Sequence, residues 1–221
     1  MKDLLPDRKA WARAVVSVVP WVGGALDHLV FDQADAIRLR NLEAAVKGLS
    51  DRLRAVPENL IDKEWFNSEE ALATFRLMAD KAAFEPNKTK VDDLGKLAAA
   101  CGLEPQSKDP KKLSIFEHLS RLSPEQLRLL QTILRTPLNT RTSSGATITY
   151  TVSAIWIDDI VKSLNSRPHF WQGNLDLSLE LDVLESLNVI RQIAASGFEQ
   201  PAYSVTPLGK LAATYVDAAG I

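Results

Sequence analysis

The sequence predicts a mainly α-helical protein with a small antiparallel sheet near its C-terminal end. Apolar residues recur at steps of three and four over much of the first half, which is the period of helices packed side by side. A short run of alternating polar and apolar residues, typical of a strand, first occurs after residue 146. We therefore expect a helical hairpin or bundle over residues 1–122, followed by a winged-helix-like α+β domain over residues 123–221.

The longest helix is predicted over residues 33–56 and ends at Pro57. Its apolar positions form one continuous stripe: Leu39, Leu42, Val46, Leu49, Leu53 and Val56. Charged residues occupy the other positions, so the stripe is a packing seam with a solvated face around it. The partner of this seam is either an antiparallel helix of the same chain or a helix from a second copy.

Two further helices follow in the first half. Asn67 or Ser68 is placed to cap a helix that begins at residue 69. The inward side of that helix is predicted to carry Leu72, Phe75, Met78 or Ala79, and Ala82. A helix over residues 91–101 is expected to end at Gly102, and the polar residues 104–112 are expected to form a loop.

The second half begins with a strong helix start. Ser123, Pro124 and Gln126 form the pattern of a capping box for a helix over residues 125–135. Residues 139–145 are predicted to be a flexible connector or an exposed loop tip, and residues 147–152 a short strand. Ser153 is predicted to cap the next helix, which would hold Ile155 and Trp156.

The remaining elements complete the order of a winged helix. A helix is predicted over residues 175–188, then strands over 189–193 and 202–205, then a closing helix that starts with Thr206 as cap and Pro207 at its first position. In such a fold the helix over residues 175–188 is the recognition helix, and the hairpin after it is the wing.

Short patterns in the second half are similar to a known family. They are Leu119-Ser120-Arg121-Leu122-Ser123-Pro124-Glu125-Gln126-Leu127-Arg128-Leu129-Leu130, Leu184-Glu185-Ser186-Leu187-Asn188-Val189-Ile190 and Tyr203-Ser204-Val205-Thr206-Pro207-Leu208-Gly209-Lys210-Leu211. The layout resembles bacterial Abi-alpha-type proteins, which are associated with abortive infection. The resemblance implies a role in bacterial antiviral defence, and it implies neither a reaction nor catalytic residues. Asn188 stands where the pattern leads us to expect a glycine.

The predicted recognition helix has the wrong charge for DNA. It carries Asp176, Glu180, Asp182 and Glu185 and lacks Lys and Arg, whereas DNA affinity depends mainly on cations that contact phosphates. From residue 153 to 221, four Lys and Arg oppose eight Asp and Glu. We therefore expect a protein partner or self-association, in bacterial defence or stress response, through these four acids and through the helical seam of residues 33–56. Phe170 and Trp171 in the preceding loop are either further contact residues or cover the core of the second domain.

Two alternatives depend on other segments. Lys108, Lys111 and Lys112 form a basic cluster that would serve a DNA-binding regulator. Residues 14–26 are uncharged and would serve a membrane-active effector lying in the bilayer interface, although the segment is shorter than the roughly 20 residues of a spanning helix.

The sequence lacks the signatures of common enzyme classes. The three histidines, His28, His118 and His169, are far apart and form no zinc motif, and no nucleophile elbow or phosphate-binding glycine loop is present. The single cysteine, Cys101, excludes an internal disulfide and is expected to be a small buried hydrophobe. We therefore expect a non-enzymatic cytoplasmic protein without metal, cofactor or small-molecule substrate.

Overall fold

The computed structural model describes residues 36–144, 149–166, 176–193 and 198–221. The described chain forms two compact units, the first of residues 36–121 with Tyr215–Ile221 and the second of Leu122–Thr214. The predicted membrane-active segment, residues 14–26, lies outside the described residues. Among the residues that are described, no helix is both long enough and apolar enough to cross a bilayer. The division into independently folding domains at residue 122 stays a prediction.

The first unit is helical. It contains five α-helices, α1 (Ala36–Ala55), α2 (Lys63–Phe66), α3 (Glu69–Ala83), α4 (Lys88–Cys101) and α5 (Lys112–Leu119), with 3-10 turns at Glu58–Leu60 and Gln106–Lys108. Trp65, Phe66 and Phe75 pack as an aromatic cluster, with ring centroids 5.1 to 6.1 Å apart. Edge-to-face and offset contacts of this kind stabilise a core beyond the area they bury.

The seam of α1 packs against α4 of the same chain. Leu42, Val46, Leu49 and Leu53 are buried, as the stripe predicts. The two helix backbones approach closely where a glycine leaves room. A Cβ atom on Gly95 of α4 would lie 1.8 Å from the carbonyl oxygen of Ala45 in α1. Of the two partners that the seam allows, the structure therefore shows the helix of the same chain.

Helix α3 begins as predicted, but its inward side differs at one position. The Ser68 hydroxyl accepts a hydrogen bond from the Ala71 amide at 3.2 Å and caps the helix. The predicted inward position of Leu72 is wrong, because this side chain is 43% exposed. Ala71 and Thr74 are buried in its place, whereas the predicted inward positions Phe75, Met78, Ala79 and Ala82 are confirmed.

The second unit combines α-helices with a small antiparallel sheet. Its elements are α6 (Pro124–Arg135), β1 (Asn139–Ser144), β2 (Thr149–Trp156), α7 (Ile157–Asn165), α8 (Leu177–Ser186), β3 (Ile190–Ile193), β4 (Ala202–Val205) and α9 (Pro207–Ala219), of which the residues from Tyr215 onward belong to the first unit. The strands form one sheet in the order β1-β2-β4-β3, and all neighbours are antiparallel. The predicted fold class, mainly helical with a small antiparallel sheet in the second half, is confirmed.

Two local predictions in this unit are wrong. Residues 139–144 are strand β1 and pair with β2 from Asn139 opposite Ala154 to Ser144 opposite Thr149, so they are not a flexible connector. Ser153 does not cap a helix, because β2 continues to Trp156 and α7 begins at Ile157. The end of β2 pairs with β4, and this long-range pairing outweighs the local helix signal.

The chain reverses between α8 and β3 at Asn188, which has a left-handed backbone with φ of 57°. Asn tolerates this conformation better than most residues that carry a side chain, which explains why it stands at a position suited to glycine. The Thr206 hydroxyl donates to the carbonyl oxygen of Asn188 at 2.6 Å and accepts from the Gly209 amide at 2.9 Å. One hydroxyl thus caps α9 and fixes the turn between α8 and β3.

Candidate partner-binding surface

Helix α8 is the predicted recognition helix, and the structure shows how it is held. Asp176 is its N-cap, since its carboxylate accepts hydrogen bonds from the amides of Ser178 at 3.0 Å and Leu179 at 3.5 Å. Leu181 and Leu184 are fully buried and direct one side of the helix into the second unit. Because the sequence from Leu177 to Ser186 contains neither Lys nor Arg, the helix carries only negative side-chain charge.

Glu180 is part of the interior of the unit. Glu180 is only 9% exposed, and its carboxylate accepts a hydrogen bond of 2.7 Å from the side-chain amide of Gln126. Gln126 belongs to the capping box of α6, where its side-chain oxygen accepts from the Ser123 amide at 2.8 Å. Glu180 therefore links α8 to the start of α6, a role that its place in an acidic helix did not indicate.

Glu185 is half-buried and also has a partner within the unit. Its carboxylate accepts a hydrogen bond of 2.8 Å from the Gln192 amide in β3. Of the four predicted acidic contact residues, Asp182 is the one that lies on the open face of α8. Burial raises the pKa of the Tyr203 phenol, and the carboxylates of Asp182 and Glu185 raise it further.

The open side of α8 also carries an exposed leucine. We name the set Ser178, Leu179, Asp182, Val183 and Ser186 the α8 face; Val183 is half-buried and the others are exposed. Leu179 is 59% exposed. Leu179, Asp182 and Ser186 follow one another at steps of three and four, so they share one side of the helix. The sequence contained this signal, because Leu179 lies about 200° around the helix from the buried Leu181.

The basic cluster of the alternative hypothesis is largely paired within the first unit. The Lys108 ammonium lies 2.6 Å from a carboxylate oxygen of Asp62 and 3.7 Å from one of Glu104. Lys112 is buried and lies 2.9 Å from a carboxylate oxygen of Glu70. Lys111 is exposed. Two of the three cations are thus neutralised by acids of their own chain.

Another acidic pair, Asp158 and Asp159 of α7, is occupied by a cation. The guanidinium of Arg141 lies 2.6 Å from Asp158 and 3.3 Å from Asp159, and its carbon is 4.5 Å from the centre of the Trp156 ring. The hydrogen bond from Arg141 lowers the pKa of the Asp158 carboxyl. This arrangement fixes β1 to α7, which suits a structural role.

Cys101 is buried, and burial raises the pKa of its thiol well above the usual range. The neutral thiol is a poor nucleophile, since the thiolate is the reactive form. Within the described ranges, no group of three or more His, Cys, Asp or Glu side chains is arranged to hold a metal ion. The predicted contact residues Phe170 and Trp171 lie outside the described ranges.

Comparison of the chain with protein-family models, with curated proteins and with solved structures gave no match.

Proposed function

We propose that this protein is a non-enzymatic interaction protein that binds another polypeptide through the α8 face. The observation that carries the proposal is the exposure of Leu179 beside Asp182 on a helix without cations. A recognition helix of this composition repels phosphate groups and offers an apolar side chain for burial. Both properties favour a protein partner over DNA.

Leu179 gives the face a contact of useful size. Complete burial of a leucine side chain contributes about 1.5–3 kcal/mol, and 59% of this residue is still accessible, so about 1–2 kcal/mol is available on binding. Asp182 adds charge selectivity, because an interface that covers it must supply a cation or a hydrogen-bond donor. The face is therefore suited to an apolar surface flanked by positive charge.

The biological setting is part of the same proposal. The resemblance to Abi-alpha-type proteins supports a role in bacterial antiviral defence, and stress response is a related setting. A cytoplasmic location is consistent with this role and with the single buried cysteine.

Site-specific photocrosslinking tests the proposal directly. A photoreactive amino acid is placed at residue 179 and, as the matched control, at Leu138, an exposed leucine of the same unit away from α8. We expect a discrete protein adduct from residue 179, lost when Asp182→Lys is added, and none from residue 138. Equal labelling from both positions, or no adduct from residue 179 in cells of the source organism, contradicts the proposal.

A salt series addresses the DNA-binding alternative. Phosphate-dominated binding weakens by about 10³–10⁵ between 50 and 200 mM salt when six to ten phosphates are contacted. We expect no such binding of duplex DNA by the wild-type protein. If duplex DNA binds with a steep salt dependence that Asp182→Lys leaves unchanged, the DNA lies on another surface. If the protein binds a specific DNA sequence and Leu179→Ser abolishes that binding, the protein-partner proposal is refuted.

A further inference from the structure

A second surface, in the first unit, has properties opposite to those of the α8 face. It is an open groove with a volume of about 350 Å³ between the beginning of α1 and the connection from α3 to α4. We name it the basic groove. The residues that give it its character are Ile37, Arg38, Arg40, Asn41, Phe84 and Lys88.

The groove is held in shape by one side chain. The amide nitrogen of Asn41 in α1 donates hydrogen bonds to the carbonyl oxygens of Ala82 at 3.1 Å and Glu85 at 2.9 Å. These bonds fix the α3–α4 connection against α1. A surface that exists before binding loses little conformational entropy when a partner arrives.

The floor of the groove exposes large apolar side chains. Phe84 is 70% exposed and Ile37 is 62% exposed. The Arg38 guanidinium lies 4.4 Å from the centre of the Phe84 ring, a cation–π contact that places a positive charge beside the apolar surface. Small-molecule sites bury most of their ligand, whereas side chains as open as these are suited to a macromolecular surface.

The charge of the groove is positive. Arg40 and Lys88 are exposed at its edge. The carboxylate in the lining, Glu85, lies 3.2 Å from the ammonium of Lys90 and is thereby compensated. The groove thus combines an aromatic and an aliphatic side chain with cations, which complements an apolar side chain next to a carboxylate.

The α8 face provides that combination. We propose that the basic groove of one copy binds the α8 face of a second copy, with Leu179 on Phe84 and Ile37, and Asp182 opposite Arg40 and Lys88. This inference rests on the proposed function, because it names a second copy as the partner of the α8 face. The two surfaces are different, so the contact is head-to-tail and generates rings or open chains of copies.

A head-to-tail contact permits a complementation test. One variant, Phe84→Ser with Lys88→Glu, disables the groove, and a second, Leu179→Ser with Asp182→Lys, disables the α8 face. Circular dichroism checks that both are folded, and the single variant Lys88→Glu, an exposed position, serves if the Phe84 change prevents folding. Sedimentation velocity from about 1 to 100 µM measures the assembly of each variant and of an equimolar mixture.

We expect the mass of the wild-type protein to rise with concentration, and each variant alone to associate at least about thirtyfold more weakly, the effect of losing an interface hot spot. The mixture should form a species of one copy of each, because one intact groove meets one intact α8 face. Lys111→Glu and Leu138→Ser, exposed changes elsewhere on the two units, should leave assembly unchanged.

Three outcomes would overturn the inference: undiminished assembly of either variant, no complex in the mixture, or a wild-type protein that stays monomeric throughout. A monomeric wild type that still gives Asp182-dependent crosslinks from residue 179 would leave the proposed function intact and assign the α8 face to a different protein. Binding of nucleic acid that is lost on Lys88→Glu in a monomeric protein would assign the groove to that ligand and also overturn the inference.

Discussion

The close approach of α1 and α4 makes Gly95→Ala the most sharply defined test of the fold. The added Cβ would lie 1.8 Å from the Ala45 carbonyl oxygen and 2.8 Å from the Leu49 amide nitrogen. Both neighbours are backbone atoms and cannot rotate away. Since carbon and carbonyl oxygen come no closer than about 3.3 Å, the helices must separate by about 1.5 Å.

The expected magnitude is the difference between two effects. Overpacking of a core costs about 1–3 kcal/mol, and a clash between two helix backbones falls at the upper end or beyond. Alanine in a helix interior is favoured over glycine by about 1 kcal/mol. We therefore expect Gly95→Ala to lower the free energy of unfolding by about 2 kcal/mol. Gly48→Ala, whose Cβ would lie 2.4 Å from the Asp92 carbonyl oxygen, should cost about 1 kcal/mol.

Urea unfolding followed by far-ultraviolet circular dichroism measures both effects as shifts in the transition midpoint. Arg54→Ala, an exposed change on α1, is the control and should alter stability by less than about 0.5 kcal/mol. If Gly95→Ala proves as stable as the wild type, or more stable, the helices do not approach as described. The same measurement refutes the reasoning if Gly48→Ala costs clearly more than Gly95→Ala.

Three further predictions concern single side chains. Thr206→Val keeps the side-chain shape but removes the hydroxyl that caps α9, so it should destabilise the protein by about 1–2 kcal/mol in urea unfolding. The control Thr214→Val, on the exposed side of α9, should have little effect. Glu180→Ala should lower the free energy of unfolding by about 1–3 kcal/mol because Gln126 loses its partner, whereas Glu180→Gln should lower it by less than about 1 kcal/mol. Equal losses would show that the 2.7 Å hydrogen bond between Gln126 and Glu180 contributes nothing to stability. Burial would raise the pKa of Asp62, but the hydrogen bonds from Lys108 and the Trp65 amide outweigh it and lower the pKa to about 2. An unfolded aspartate titrates near pH 3.9, so the stabilisation from ionised Asp62 is present above that pH and is lost as pH falls toward 2. Asp62→Asn should flatten this part of the curve of unfolding free energy against pH. An unchanged curve would refute the lowered pKa of Asp62.

Much of the fold followed from local signals that tertiary packing reinforced. The capping box at Ser123 formed because the Ser123 hydroxyl and the Gln126 side chain each bond to the other residue's backbone within one turn. The stripe of α1 predicted its buried side because a helix repeats its faces every three to four residues. Strand β4 and the start of α9 at Pro207 were predicted for similar reasons.

Other features required contacts that are distant in sequence. Residues 139–144 lack the composition of a strand, and they become β1 because β2 supplies partners for their backbone groups. In the sequence the four acids of α8 cannot be told apart, but the fold gives each a different role. Asp176 caps the helix, Glu180 is a buried link to Gln126, Asp182 is an exposed charge, and Glu185 accepts a hydrogen bond from β3. Lys108 of the basic cluster was likewise neutralised by Asp62, which lies 46 positions earlier.

By itself the amino-acid sequence determined most of the helices within residues 36–135, strand β4 with the helix that follows it, and the negative charge of α8. These properties depend on periodicity, capping and composition, which act over a few neighbouring residues. The tertiary structure alone decided which helix covers the α1 seam, which acid of α8 faces outward, and that Phe84 and Ile37 lie exposed beside cations. Such properties depend on which distant residues meet, because burial and charge pairing arise between elements that folding brings together.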